Sequence, residues 1–504
     1  MTRARRLTIA LVPSALVAGQ VPAYVFPVLG HIAAIQHVSA ATVTWVLTSA
    51  FVSSAVSTPI VGRFADLFGH RRVLIACLMM VLVGSVISAT TTDFAVFIVG
   101  RVLSGPASAL YPLTSSTLQH HLAQHQMHRA ITILSSCLGI GGAMALVVAG
   151  TMGGGDYRVI FWFPVAFTVL ALALVVAGVP RTHDRQPGAV DLVGGVLFAA
   201  GIVLFLLPLS QAARWGLGSA RSLGCIAGAI VLMMVFVRVE RRVRFPMLPL
   251  QLLRRPLVVA VGISILVGAM TFVPLVVLPI LLQVRPAIVR GGGPATPLVI
   301  SLVYLLPGNV LGLAGTPIGS RLARRQGVPT AVTAVGLTGL AGAVLPVAAP
   351  AAPWALVAGM FLTSGALYVY YGALPAQVLP LVRRNDLGVA NSLISLGRWV
   401  GAALATASAS LVLSTGAPGA VLTEGYFRGA LAVGVVVTVG ICLAAGLSSR
   451  DPRVITGPGG VADDAETTEA LTALPPPVGD LTSDVVVLDE VPAAVADGER
   501  MIRD

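Results

Sequence analysis

Two arginines stand where a charge has little access to water. Arg101 and Arg398 fall deep inside apolar runs of the chain. A charge at that depth is costly unless it faces a protein interior and meets carbonyls, water or an anion. Asn391, Ser395 and Arg398 recur at i, i+4 and i+7, so on a helix they share one face, with Trp399 beside them. That face reads as a cavity wall whose guanidinium attracts an anionic or electron-rich group; the alternative is a packing arginine bonded to carbonyls. For Arg101 a structural or coupling role is expected. Gln20 with Tyr24, Trp45 with Ser49, Tyr304 with Asn309, and Tyr368, Tyr370 and Tyr371 with Gln377 add polar groups at membrane depth. A single tyrosine near a span end more often marks the interfacial belt. As a set, these residues would line a large cavity for an amphipathic neutral or anionic molecule.

The acids are placed differently. Asp66, Asp93, Asp156, Asp184, Asp191, Glu240, Asp386 and Glu424 are the carboxylates before residue 449, and each is expected in a loop or at a span end. An intramembrane carboxylate is the usual proton carrier and the usual counter-charge for a cationic cargo. An interior without one favours uncharged or negative cargo. Cys77, Cys137, Cys225 and Cys442 lie apart in apolar runs and read as small buried residues. His120, His121, His125 and His128 cluster in one connection, where a solvated loop is a better reading than a metal site. No nucleophile–base pair or cofactor motif is evident, so an enzyme is not expected. All 32 basic residues are arginine, which excludes the G-x-x-x-x-G-K-[ST] nucleotide loop. A gradient must then supply any work done.

The elements that carry these residues follow from composition. The chain is 56% hydrophobic and 10% charged, where a soluble domain carries about a quarter charged residues. Fourteen apolar spans are expected, each close to the roughly 20 residues needed to cross a bilayer. They cover 7–29, 42–62, 73–91, 95–118, 130–153, 159–180, 190–210, 222–239, 257–283, 297–320, 329–349, 354–380, 388–413 and 427–447. The pattern T-P-I-x-x-R-[FL]-A-x-x-x-G occurs at 58–69 and again at 316–327, 258 positions later. Ala130–Gly141 aligns with Ala390–Gly401 at an offset of 260. Two offsets so close indicate two related bundles, an architecture that in membranes points to transport through a site between them. The expected organisation is a six-helix bundle in 1–185, a two-helix insertion in 186–245, a second bundle in 246–448 and a disordered acidic tail in 449–504. With the N-terminus inside, twenty-two arginines fall on the inner side and six outside, the bias expected of cytoplasmic loops. The net charge of +12 therefore reflects topology, and no nucleic-acid partner is implied.

Gly62, Asp66, Gly69, Arg71 and Arg72, within Gly62-Arg-Phe-Ala-Asp-Leu-Phe-Gly-His-Arg-Arg72, resemble the signature loop of the major facilitator superfamily. Arg101-x-x-x-Gly105-x-x-x-Ala109-x-x-Pro112 resembles a second signature, and Gly139-x-Gly141-Gly142…Gly150 its antiporter motif without the usual Gly-Pro. Asp191-x-x-Gly194, Gln211-x-x-x-Trp215-Gly216 and Asn391-Ser392-Leu393 look like the fourteen-span drug:proton antiporter branch, an actinobacterial-type multidrug or metabolite exporter. The resemblance covers 1–448. It implies an all-α membrane protein of two six-helix bundles plus two inserted helices. It further implies export of a small molecule by alternating access, proton coupling, and a monomer in a bacterial plasma membrane with both termini cytoplasmic. Ala18 stands where such antiporters carry an aspartate, and Arg324 replaces Asp66 in the second copy of the loop. The loop motif reads as a conformational latch and most of the glycines as packing positions. A lipid or lysolipid translocator of the same fold, and a membrane scaffold or sensor acting through its tail, are the alternatives.

Overall fold

A computed structural model describes residues 3–122, 124–180, 191–211, 215–216, 218–243, 255–284, 296–349, 352–378 and 387–414, with single positions at 436 and 440. Every regular element among them is helical. The long helices are α1 (Arg3–Ala23), α2 (Trp45–Phe68), α3 (His70–Thr90), α4 (Phe94–Ser104), α5 (Ala107–His121), α6 (Gln124–Met152) and α7 (Trp162–Gly178). They continue with α8 (Leu192–Ser210), α9 (Ala220–Glu240), α10 (Arg255–Val284), α11 (Leu306–Gln326), α12 (Val328–Ala348), α13 (Pro353–Val378) and α14 (Leu387–Ser414). These helices coincide with the first thirteen expected spans; apart from positions 436 and 440, the span expected at 427–447 lies outside the described residues, as does the 449–504 tail. Eleven spans among the described residues are long and apolar enough to cross a membrane.

Three elements differ from expectation. The span expected at 95–118 is broken into α4 and α5 at Gly105-Pro106, where proline has no N–H to continue the ladder. The chain entering α11 is continuous from Pro297, but Ile300–Leu305 is π-helical, a form common at functional sites. The signature loop is mostly helix: α2 runs through Gly62 to Phe68, and Gly69 alone makes the turn into α3.

The sequence repeat has structural counterparts. Gly69 and Gly327 occupy equivalent positions of T-P-I-x-x-R-[FL]-A-x-x-x-G, and both have φ of +90°, a conformation that only glycine adopts without strain. In the second trace Gly141 and Gly401 are equivalent. A Cβ on Gly141 would collide with the Leu16 carbonyl of α1, and one on Gly401 with the Ile265 carbonyl of α10. Bare glycine faces let α6 lie directly on α1, and α14 on α10. α8 and α9 pair with each other through Phe198 and Phe236, whose centroids are 5.4 Å apart. Two seams join the segment through α7 to the segment from α10 onward: α2 runs along α14, and α6 along α11. Both seams bear on the site.

Candidate functional site

The two buried arginines have different surroundings. Arg101 is 2% exposed; its Nε donates to the Val46 carbonyl at 3.4 Å and its Nη2 to the Val21 carbonyl at 3.3 Å. Its guanidinium also lies 5.9 Å from the Phe161 ring centre. It therefore clamps α4 to α1 and α2, as a packing arginine does. Arg398 is 4% exposed, and its charge stands 4.8 Å above the Tyr371 ring and 5.6 Å from that of Trp399. Aromatic faces attract a cation, yet they accept no conventional hydrogen bond. Arg398 Nε and Trp399 Nε1 are both buried without a partner among the described residues. Arg63 Nε, Arg71 Nε and Gln20 Nε2 are in the same position among the described residues; what sets this pair apart is that two adjacent donors lie beside aromatic faces at membrane depth, where an acceptor would complete them.

A polar and aromatic strip extends from Arg398 in both directions. On one side Tyr371 lies 6.1 Å from Tyr368, and the Tyr368 hydroxyl donates to Asn309 Oδ1 at 2.8 Å. This pair meets α6: a Cβ on Gly139 would lie 3.4 Å from the Tyr368 ring, and one on Gly142 would lie 3.0 Å from Asn309 Oδ1. The glycine-rich motif thus has two faces, one seating α6 on α1 and the other admitting Tyr368 and Asn309. Tyr111 joins from α5, with its hydroxyl 2.7 Å from Ser135 Oγ of α6 and within electrostatic reach of Tyr371 and Arg398. On the other side Trp399 packs on Phe51 at 5.6 Å, Phe51 on Phe272 at 4.9 Å, and Phe272 on Phe26 at 6.1 Å. Beyond this aromatic wall, Thr48 donates to Thr406 at 2.9 Å. Gln283 Nε2 donates to the Pro27 carbonyl at 2.7 Å.

Several expected cavity residues lie together in this strip: Asn309, Tyr371 and Arg398, with Ser395 buried and Asn391 half-buried on the same helix. Others lie elsewhere. Gln20 and Tyr24 are fully buried and bond to each other at 3.2 Å, with Tyr24 edge-on to Phe163. Ser49 shares a face of α2 with Val46 and Ser53, which meet Arg101 and the Val102 carbonyl. Trp45 opens α2, half-buried. Tyr304 is buried in the π-helical segment, and Gln377 is buried with Oε1 unpartnered among the described residues. Of the coupling residues, Gly62 faces Ser392 across the α2–α14 seam, where a Cβ would lie 3.0 Å from the hydroxyl. Arg71 Nη2 donates to the Val176 carbonyl at 2.7 Å and Arg72 is exposed. Gly105 packs against Ser53. Asp66 lies in α2, but its side chain is outside the described set.

The described carboxylates keep to helix ends. Asp93 accepts from Val96 N at 2.9 Å and caps α4, while Asp191 accepts from Gly194 N at 2.8 Å. Asp156 pairs with Arg158 at 2.6 Å in a connection, and its hydrogen bonds to that guanidinium hold its carboxyl below the usual range. Glu240 is buried as the last residue of α9. Asp184, Asp386 and Glu424 lie outside the described residues. Of the clustered histidines, His121 contacts the Thr117 carbonyl at 2.9 Å; the side chains of the other three are outside the described set. No group of three or more His, Cys, Asp or Glu among the described residues is placed to hold a metal ion. Cys77 and Cys137 are buried free thiols, and Cys225 is partly buried; Cys442 lies outside the described residues.

Residues 11–406 match the family described as Major Facilitator Superfamily. The chain is 29% identical over 343 residues to a uridine/deoxyuridine transporter of Lactococcus lactis subsp. cremoris, covering 66% of this chain and 70% of that one. It is 29% identical over 314 residues to a triacylglyceride transporter of Mycolicibacterium hassiacum, covering 60% of this chain and 56% of the relative. The match to this second relative therefore spans little more than half of its length. The fold is similar to that of PepTSo, a POT family transporter, with a TM-score of 0.61 at 15% identity over 88% of this chain and 99% of that structure.

Proposed function

Because the chain belongs to the Major Facilitator Superfamily, and is a multi-pass membrane protein of the transporter class, we propose that it is a secondary active exporter of an amphipathic neutral or anionic small molecule. The observation that carries this reading is the pair of orphaned donors at Arg398 and Trp399, beside an aromatic strip among whose residues no carboxylate occurs. Such a site rewards an acceptor or a negative charge and repels a cation. Both named relatives fit that preference, since uridine and triacylglyceride carry no positive charge. The second relative also favours the lipid-like end of the range.

The cargo binds between the two halves, and the α2–α14 and α6–α11 seams rock about it. With both termini cytoplasmic, the orientation that the arginine bias favours, the contacts Gln283–Pro27 and Thr48–Thr406 and the aromatic wall lie on the outer side of Arg398. The conformation then reads as closed to the outside. Proton antiport is the default coupling implied by the family resemblance. With the described carboxylates at helix ends, coupling through a central acid has no support among the described residues. The protein acts as a monomer in a bacterial plasma membrane, with fourteen spans arranged six, two and six.

Initial-rate transport in proteoliposomes tests the reading. A hydrogen bond to a charged group contributes about 1.5–3 kcal/mol, so Arg398→Gln should slow transport by about ten- to a hundredfold, with insertion intact. Undiminished transport in Arg398→Gln would remove this residue from the site.

A further inference from the structure

A second feature adjoins the strip. A cavity of about 350 Å³ is lined by Gly139, Ile140, Ala143, Met144, Val147 and Val148 of α6, Phe163 of α7, and Asn309 and Val310 of α11. The missing side-chain volume at Gly139 and Ala143 makes the hollow. Ile140, Val147 and Val310 on its rim are exposed, on helices that the fold places in a bilayer. It therefore opens sideways toward lipid along the α6–α11 seam. From Gly139 to Val148 it follows α6 for about 13 Å at the rise of an α-helix. Its volume lies at the low end of the roughly 300–1,000 Å³ of pockets that hold a whole drug-sized ligand, so it suits one branch of a molecule.

We propose that this groove is a lateral subsite for the hydrocarbon chain of the transported amphipath, which enters from the bilayer while its head group reaches Arg398. The proposal rests on the reading of the cargo given above. A short chain of side-chain contacts from the groove to the charge supports this occupant. The groove ends on Asn309, which takes the Tyr368 hydroxyl; Tyr368 neighbours Tyr371; and Tyr371 lies under the Arg398 guanidinium. A head group held at Arg398 leaves its tail directed along that path into an apolar channel open to lipid. A bilayer lipid resting in the hollow would have no use for this connection to the charged site.

The test compares radiolabelled butyl- and dodecyl-sulfonate, below their micellar concentrations, as substrates of the full chain in proteoliposomes. Because each buried methylene adds to binding, the wild type should favour dodecyl over butyl by about tenfold or more. Ala143→Phe fills the groove; Val147→Trp fills it from the exposed rim, where overpacking is least costly. Both should bring the dodecyl-to-butyl ratio close to unity, whereas Arg398→Gln should lower transport of both sulfonates. If the ratio is unchanged in both groove variants, or if both sulfonates fall in parallel, the groove proposal is overturned while the reading of Arg398 stands. If the wild type moves neither sulfonate, the amphipath reading fails and the groove proposal fails with it.

Discussion

The guanidinium of Arg398 stands 4.8 Å above the ring of Tyr371, on a helix that lies against α10 at Gly268, where a Cβ would meet the Arg398 carbonyl. The backbone of this residue is thus fixed by packing, and its charge is held by a ring face that leaves Nε unpartnered among the described residues. The ring prepares the charge for a ligand without competing for its donors.

That geometry separates the ring from its hydroxyl. Tyr371→Phe keeps the aromatic face and should transport at close to the wild-type rate. Tyr371→Ala removes a cation–π contact of about 0.5–2 kcal/mol, and should weaken apparent substrate affinity by about two- to thirtyfold. Concentration-dependent uptake rates check both, and equal losses in the two variants would assign the role to the hydroxyl.

Arg101 and Arg398 should fail in different ways. Arg101→Leu removes two buried bonds from a charged side chain to the Val21 and Val46 carbonyls, each worth about 1.5–3 kcal/mol. Its monodisperse yield and melting temperature should fall. Arg398→Leu breaks no Nε hydrogen bond among the described residues, so its yield should stay near wild type while transport is lost. Size-exclusion profiles beside uptake rates distinguish the two.

Gly69→Ala and Gly327→Ala place a side chain at φ of +90°, a strain of about 1–3 kcal/mol each. Both should lower the melting temperature by similar amounts, because the same conformation is demanded of each. A loss at only one of them would show that the copies are not mechanically equivalent.

How far residue types alone foretold the site depended on where each partner lies. The T-P-I-x-x-R repeat and the glycines paired by the 260-residue offset could be read directly, because glycine conformation and close helix approach are local demands. Helical spacing correctly put Asn391, Ser395 and Arg398 on one helix. Spacing also grouped Gln20 with Tyr24, but it cannot say which neighbour a face meets; that pair lies against Phe163, a wall of the lateral groove. Tyr111 and Ser135 were not anticipated, although Tyr111 sits inside the Arg101–Pro112 motif. Their meeting at 2.7 Å depends on two helices converging. The Phe26–Phe272–Phe51–Trp399 wall is built from four helical segments, and apolar residues in an apolar span carry no mark of such a role. The partners of Arg101 are backbone carbonyls, which every residue has.

Closure on one side of Arg398 gives a further prediction. The Thr48 and Thr406 hydroxyls are 2.9 Å apart across the α2–α14 seam. In Thr48→Cys/Thr406→Cys, oxidation should form a cross-link that stops turnover, and reductant should restore it. Full transport in the cross-linked protein would show that this contact need not open.

The central claim is that the described interior offers donors and a positive charge to its cargo. The most direct measurement uses one aromatic scaffold bearing a carboxylate, a neutral amide or a quaternary ammonium, with uptake of each followed in the same proteoliposomes. The account predicts that the carboxylate and the amide are transported in an Arg398-dependent way and that the ammonium is excluded. Preferential transport of the ammonium form, unaffected by Arg398→Gln, would contradict it.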